Sequence, residues 1–236
     1  MSRAFEQLSW DETPMGVLGL RRRLEPVTGA DVYEVKLGDE YLMSSAFTVA
    51  EIELARLGLA AHAGAELDVV VGGLGLGYTA DAACEDPRVR SLVLVEALPE
   101  VIAWHEQRLL PDVERLARDG RVCFVEGDFF ALSASEDGFD PQAPGRAFDV
   151  VLLDIDHTPR HVLADSHAGF YTREGLAGLR RHLTASGVFA LWSDDPPDEP
   201  FLELLGAVFS SAHAEVVTFP NPLTGGESAN TVYLAG

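Results

Sequence analysis

The chain has 236 residues, enough for one large domain, or for one domain with a small appendage, around a sizeable buried core. Hydrophobic residues make up 47% of it, which excludes an intrinsically disordered chain. The 38 acidic residues outnumber the 17 basic ones, and the formal net charge of -21, which solubility alone could explain, disfavours nucleic acid as a partner and favours a cationic small molecule.

Nothing in the sequence points to secretion or to a membrane partner. Residues 1–7 contain no apolar h-region, so we expect no signal peptide. No apolar run approaches the roughly 18 residues that span a bilayer. Cys84 and Cys123 lie in apolar segments outside any CxxC pair, which predicts free thiols in a reducing compartment. We therefore predict a cytoplasmic protein.

Residues 1–47 predict a small β-hairpin region. The stretches 16–20 and 31–37 are short and partly alternating, and turn residues separate them, as is typical of a hairpin or meander. Thr48 then opens a helical pattern in which Thr48 and Glu51 have the spacing of a capping box. We therefore place the main domain at 48–236.

In the main domain, apolar runs alternate with helical stretches. The runs are 67–71, 91–95, 121–125, 148–153 and 187–192. The stretches 98–118 and 172–183 predict helices, while Ser, Asp, Gly and Pro over 133–147 predict a surface loop. The tail segments 214–219 and 230–234 flank a turn and predict an antiparallel pair. This order predicts a Rossmann-like α/β fold with a mostly parallel seven-stranded sheet and an antiparallel C-terminal strand.

The ends of these strands hold glycines and acids. In an open α/β sheet, ligands bind beyond the carboxyl ends of the strands. Glu96 lies 19 residues after Gly77, where a carboxylate can accept both hydroxyl protons of an adenosyl ribose. Asp128 could accept from the exocyclic amine of adenine, and Asp154 would lie near the reacting centre. We predict that the cofactor-binding residues are Gly72, Gly73, Gly75, Gly77, Glu96 and Asp128.

The glycine turn, Glu96 and Asp154 also have simpler structural explanations. The glycine turn reads GGxGxG rather than GxGxxG, and it could serve only as a turn that needs positive φ. Glu96 could be a solvated strand end, and Asp154 a helix N-cap or half of a surface ion pair. The combination of the turn with Glu96 and Asp128 favours a nucleoside site.

A second polar cluster follows Asp154. Its members are Asp156, His157, His161, Asp165 and His167. His157 and His161 would share one face of a helix and could bind a metal, but Thr158-Pro159 would start a helix only after His157. We therefore predict no metal site, and expect loop residues, one of whose histidines could accept a proton. The segment 192–198 is expected to lead into a helix, with an acidic wall of the substrate pocket as the alternative.

The order of these motifs resembles the spermidine synthase family, within the class I S-adenosylmethionine-dependent methyltransferase fold. The resemblance runs from about residue 40 to the end, and the start resembles the family's small N-terminal β domain in shortened form. The motifs that carry it are Val70–Gly73, Asp86–Val89, Leu94–Glu96, Val125–Asp128, Phe148–Asp154, Phe170–Glu174 and Pro222–Gly226.

The resemblance implies a reaction in which an amine attacks a carbon beside a sulfonium and a thioether leaves. It assigns Glu96 to the ribose, Asp128 to adenine, and Asp154 to orienting or deprotonating the amine. It also implies a homodimer. We take Asp154, Asp156 and His157 as the catalytic candidates.

The sequence departs from the family pattern at three places. The family has an aspartate at about the position of Gly75, and a second aspartate three residues after the one that matches Asp154. Here His157 has that spacing, with Asp156 as a substitute, and Asn230–Val232 replaces an aromatic residue. These departures favour methyl transfer from S-adenosylmethionine to a small-molecule acceptor, for which a cationic amine is one candidate.

Three other hypotheses stay open. The first is aminopropyl transfer from decarboxylated S-adenosylmethionine, as in polyamine synthesis. The second is a catalytically silent cofactor-binding module. The third is a nicotinamide-dependent oxidoreductase, because Glu96 would also suit an NAD ribose, although the glycine pattern and the antiparallel tail disfavour it.

Overall fold

The computed structural model describes residues 5–26, 28–221 and 225–236. The first described residues belong to a four-stranded antiparallel sheet in the order β1-β2-β3-β4. Its strands are β1 (Phe5–Thr13), β2 (Gly16–Leu24), β3 (Asp31–Leu37) and β4 (Glu40–Ser44). The hairpin that the sequence predicts is the pair β2-β3, and β1 and β4 extend it on both sides.

The rest of the chain forms a seven-stranded sheet with helices on both faces. Its strands are β5 (Leu67–Gly72), β6 (Val89–Glu96), β7 (Val122–Glu126), β8 (Phe148–Leu153), β9 (Leu183–Ser193), β10 (Ala212–Asn221) and β11 (Gly226–Ala235). Its helices are α1 (Val49–Ala60), α2 (Tyr78–Glu85), α3 (Pro99–Glu106), α4 (Phe129–Ala134), α5 (Arg173–Arg180) and α6 (Glu199–Gly206). Two 3-10 segments, Pro111–Ala117 and Asp165–Gly169, complete the regular structure.

The strand order is β10-β11-β9-β8-β5-β6-β7, and β11 alone runs against its neighbours. This confirms the predicted fold class. The chain order reverses between β5 and β8, because β6 and β7 extend the sheet on one side and β9 on the other. A crevice at such a reversal is where open α/β sheets bind ligands.

The two faces of the large sheet carry separate hydrophobic cores. Val69 and Val71 of β5 pack in one core, and Val70 packs in the other. Successive side chains of a strand point to opposite faces, so a strand covered by helices on both sides reads as a continuous apolar run. The apolar runs of the sequence identify the central strands for this reason.

Several local predictions need correction. The predicted helix 98–118 is α3 followed by a separate 3-10 segment, and Arg108 has a positive φ of 58° between them. The predicted surface loop 133–147 contains Phe139, which is 1% exposed and stacks on Phe129 at 4.9 Å between ring centroids. Thr48 stands at the N-cap of α1 but makes no side-chain capping hydrogen bond, so the predicted capping box is absent.

Other predictions are confirmed, and one motif lies partly outside the described residues. The antiparallel tail pair is confirmed as β10-β11. The motif Pro222–Gly226 includes residues 222–224, which lie outside the described part of the chain. Cys84 and Cys123 are both free thiols, the first buried and the second partly exposed. Among the described helices, we find none with the length and apolar character to cross a bilayer.

Candidate active site

Two adjoining cavities lie at the carboxyl edge of β5, β6 and β8, under the N-terminal sheet. The larger has a volume of about 290 Å³ and extends toward Glu96 and Asp128. The smaller has a volume of about 90 Å³ and extends toward Glu51 and Trp192. Both are lined by Leu42, Met43, Gly73, Gly75, Asp154, Ile155 and Leu163. Because they share these walls, groups bound in the two cavities would meet beside Asp154.

The glycine turn connects β5 to α2 and forms part of both cavities. Gly73, Gly75 and Gly77 have φ of 89°, 46° and 90°, a region that side chains other than glycine rarely adopt. A Cβ atom at Gly73 would lie 2.1 Å from the carbonyl oxygen of Asp154. A Cβ atom at Gly72 would lie 2.4 Å from the ring of Phe129. The turn therefore needs glycines both for its backbone conformation and for its close packing against the end of β8.

Met43 of β4 covers Gly75. A Cβ atom at Gly75 would lie 2.6 Å from the sulfur of Met43, and the amide of Leu76 donates a hydrogen bond to that sulfur at 3.2 Å. The N-terminal sheet is thus fixed to the glycine turn at about the position where the family that the motifs resemble has an aspartate. The sequence contains no local signal for this contact, because Met43 and Leu76 are 33 residues apart and meet only through the tertiary fold.

Glu96 holds the glycine turn from the end of β6. Its two carboxylate oxygens accept hydrogen bonds from the amides of Leu74 at 3.0 Å and Leu98 at 2.9 Å. Burial raises the pKa of Glu96, and the amide hydrogen bonds oppose that rise. Each oxygen has further acceptor capacity, so Glu96 can hold the turn and still accept from hydroxyl groups in the larger cavity.

Asp128 lies at the end of β7 and is exposed at the edge of the larger cavity. Its Oδ1 atom accepts hydrogen bonds from the amides of Phe130 at 2.8 Å and Ala131 at 3.3 Å, so it caps α4. Within the described residues, no protein group donates to Oδ2. That oxygen is available to a ligand.

Asp154 and Glu51 are the two carboxylates of the smaller cavity. Asp154 follows β8 and accepts a hydrogen bond from the hydroxyl of Thr79 at 2.7 Å. Burial raises the pKa of Asp154 to about 6, against that hydrogen bond. Burial, and then the charge of Asp154, raises the pKa of Glu51 to about 8. The pair therefore favours a proton or a cationic ligand between its members.

The sequence pattern does not indicate that Glu51 belongs to the site. It predicts Glu51 as part of the capping box of α1, whereas in the structure this side chain lines the smaller cavity. An acidic residue in the first turn of a helix is common, so its position in the sequence carries no specific signal.

The other two catalytic candidates have different surroundings. His157 lines the smaller cavity, with its Nε2 atom 3.2 Å from a carboxylate oxygen of Glu40. Asp156 lines neither cavity and is only 1% exposed. It accepts hydrogen bonds from the Leu163 amide, the His167 ring and the Tyr171 hydroxyl, so it is a buried hydrogen-bond centre rather than a group open to the acceptor.

The remaining polar residues of this segment do not form a metal site. Thr158 and His161 bridge each other across a turn, so His157 and His161 do not lie on a helix. In the part of the chain that the structure describes, no three His, Cys, Asp or Glu side chains are grouped so as to hold a metal. Asp194 accepts from the side-chain amide of Asn230 at 2.7 Å and lines neither cavity, so it is tied to β11 rather than to the pocket.

The charges of the two cavities are almost all of one sign. Four carboxylates line them: Glu51, Glu96, Asp128 and Asp154. Among the described residues that line either cavity there is no lysine and no arginine, and the basic side chains are His157 and His167. Such a site attracts cations, and a carboxylate on a ligand would meet no fixed positive charge from these two residue types.

Comparisons with known proteins show which solved structures have a similar fold. No protein-family model matches the sequence, and no curated protein matches it. A solved structure of a spermidine synthase in complex with the transition state analogue AdoDATO is similar, with a TM-score of 0.73 and 16% identity, over 97% of this chain and 73% of that chain. Spermidine synthase from Thermotoga maritima is similar with a TM-score of 0.70 and 16% identity, over 97% of this chain and 71% of that chain. The chain therefore has a spermidine-synthase-like fold, as the resemblance of its motifs predicted.

Proposed function

We propose that this chain is an aminopropyltransferase, which transfers an aminopropyl group from decarboxylated S-adenosylmethionine to an amine. The observation that carries the proposal is the carboxylate pair Glu51 and Asp154 in the small cavity, directly beside the larger cavity that suits an adenosyl group. The similarity of the fold to spermidine synthases supports the same reaction class.

The larger cavity has the groups that an adenosyl donor requires. Glu96 would accept from the two ribose hydroxyls, and the Oδ2 atom of Asp128 would accept from the adenine amine. The glycines at 73 and 75 line this cavity, so the backbone of the turn would lie against the ligand. The residues present therefore fit the nucleoside part of the donor.

The charges favour the decarboxylated donor. S-adenosylmethionine carries an α-carboxylate, whereas its decarboxylated form ends in an ammonium group. No lysine or arginine among the described lining residues would pair with the α-carboxylate, and Asp154 would repel it. The same charges would stabilise both the ammonium of the donor and a cationic acceptor.

When bound, the donor supplies an electrophilic carbon beside its sulfonium and a thioether leaving group. The small cavity would hold the acceptor amine next to that carbon, and Asp154 would receive the proton that its nitrogen loses as the C–N bond forms and the C–S bond breaks. A pKa near 6 leaves Asp154 mostly ionised at neutral pH but closer to the amine in basicity than an ordinary aspartate. Glu51, whose pKa of about 8 leaves it mostly protonated in the free chain at neutral pH, would lose that proton when it pairs with the ammonium of the donor or of the acceptor.

Methyl transfer is the second candidate, and one observation favours it. The family's aspartate is replaced by Gly75, and Met43 fills the space beside it. A donor whose aminopropyl end needs no such aspartate would tolerate this change, since the sulfonium is already a good leaving group.

Calorimetric titration with each donor separates these two candidates. We expect decarboxylated S-adenosylmethionine to bind at least roughly 10-fold more tightly than S-adenosylmethionine, because the extra carboxylate of the latter meets the charge of Asp154. Mass spectrometry of reactions with a panel of diamines should then show acceptors that are heavier by one aminopropyl group. Tighter binding of S-adenosylmethionine, with methylated amines as products, would establish the second candidate instead. Binding without turnover for any amine would indicate a silent module.

A further inference from the structure

We infer that His167 recognises the amino edge of adenine in the larger cavity, and that Asp156 fixes the orientation in which it does so. The inference rests on the proposed adenosyl donor and adds a determinant of nucleobase specificity. It concerns two residues that the proposed transfer reaction does not use.

The position of His167 is fixed by packing. It belongs to the 3-10 segment Asp165–Gly169, lines the larger cavity and is 9% exposed. Its ring stacks on Phe130, with centroids 4.0 Å apart and ring planes 29° apart. Phe130 lines the same cavity and directly follows Phe129, two residues after Asp128. His167 and Asp128 therefore line the same cavity, and both contact Phe130.

The orientation of the ring is fixed by Asp156. The Nδ1 atom of His167 lies 2.8 Å from Oδ1 of Asp156. That oxygen also accepts from the amide of Leu163 at 2.7 Å, and Oδ2 accepts from the hydroxyl of Tyr171 at 2.8 Å. A carboxylate that collects donors in this way keeps a hydrogen on Nδ1 of the histidine. In the neutral form of the ring, the remaining nitrogen, Nε2, carries a lone pair, and within the described residues it has no protein partner.

An acceptor beside Asp128 matches one nucleobase in particular. The exocyclic amine of adenine has two N–H groups, and the site offers two acceptors, Oδ2 of Asp128 and Nε2 of His167. Hypoxanthine and guanine have a carbonyl oxygen at the same ring position, which would face two acceptors with no hydrogen between them. Sites built to bond a ligand group reject analogues that lack it strongly, because the polar groups of the protein are left unpaired.

The test compares two neutral thioethers, 5′-deoxy-5′-methylthioadenosine and its inosine counterpart, by calorimetric titration of the full chain. The wild type should bind the adenine compound roughly 10- to 100-fold more tightly. His167→Phe keeps the stack on Phe130 but removes Nε2. It should lose the part of this preference that Nε2 contributes and keep the part that Asp128 contributes, while still binding both compounds through Glu96. His167→Gln retains an acceptor and should keep part of the preference. Asp156→Asn, a change in the positioning residue, should weaken the preference in the same direction.

His161→Phe is the matched control, because His161 is exposed and lines neither cavity. It should leave both affinities unchanged. An unchanged preference in His167→Phe, or in His167→Ala if the phenylalanine variant does not fold, would overturn the inference. So would a wild type that prefers the inosine compound, since that would mean that Nε2 donates. If the wild type binds neither thioether, the proposed adenosyl site itself is wrong. If it binds both equally, neither His167 nor Asp128 recognises the amino edge of adenine, while the site for the ribose and thioether still stands.

Discussion

Some side chains of the site can be identified from the sequence, and others cannot. Glu96, Asp128 and Asp154 could be found because each stands at the end of an apolar run, and parallel strands bring such ends to one edge. Glu51 and His167 could not be found in this way. Glu51 comes from a helix before the sheet, and the surroundings of His167 depend on Asp156, 11 residues away along a segment without an α-helix.

Replacing Glu51 should change the pH dependence of folding stability. Its folded pKa is raised from 4.5 to about 8, so the folded chain binds a proton that the unfolded chain has lost. The resulting stability is fully present below pH 4.5 and is lost as pH rises through about 8. Glu51→Gln removes the cost of ionising this side chain. We expect it to raise the free energy of unfolding at pH 9 by about 1–3 kcal/mol, with little change at pH 4.5.

Urea unfolding followed by circular dichroism between pH 4.5 and 9 measures this difference. Glu53→Gln is the control, because Glu53 lies on the same helix and pairs at the surface with Arg56 at 3.0 Å. A Glu51→Gln variant with the same pH profile as the wild type would mean that Glu51 ionises like an ordinary exposed glutamate.

Replacing Asp154 should separate catalysis from nucleoside binding. Asp154→Asn keeps the size of the side chain and its contact with Thr79 but cannot take a proton from the amine. We expect kcat to fall by roughly 100-fold or more, the usual contribution of a general base, while the affinity for methylthioadenosine changes less than about 3-fold. Single-turnover kinetics and calorimetry measure the two quantities. A loss of thioether affinity as large as the loss of kcat would assign Asp154 a structural role at the turn.

At the level of elements, the contact between β4 and the glycine turn joins the two sheets at the site. Long apolar strands were predictable, because burial on both faces leaves a continuous run. β1 and β4 were not, because they carry polar and exposed residues that do not alternate clearly with apolar ones. The contact between β4 and the glycine turn could not be predicted either, because nothing in the sequence of one element indicates that it packs against the other.

Substitution at Gly75 tests this contact. Gly75→Ala places a Cβ atom 2.6 Å from the sulfur of Met43 at a φ of 46°, so we expect a loss of stability of about 1–3 kcal/mol. Gly120→Ala is the control, because a Cβ atom there has nothing within 4 Å. In the double variant Met43→Ala with Gly75→Ala, the contact disappears while the backbone strain remains, so the two losses should not add. Additive losses in chemical unfolding would show that Met43 and Gly75 act independently.

At the level of the whole molecule, the net charge of -21 acts on the same class of ligand as the carboxylates of the cavities. A field of this sign raises the local concentration of cations and speeds their association, and salt screens it over about 10 Å at 0.1 M. The buried pair Glu51 and Asp154 is screened less than the surface is. Charge at long range and charge in the site should therefore respond differently to salt.

Ionic strength provides the corresponding measurement. Raising it from about 0.01 M to 0.5 M should lower the apparent affinity for a cationic diamine by roughly 10-fold, because the Debye length falls from about 30 Å to a few ångström. The affinity for neutral methylthioadenosine should stay within about 2-fold, since a neutral ligand gains nothing from the field. In Glu51→Gln the diamine should bind more weakly at every salt concentration but with nearly the same salt slope, because 37 other acidic residues still set the field (38 in total, less Glu51). Equal salt effects on the diamine and the thioether would show that the surface charge maintains solubility and does not attract substrate.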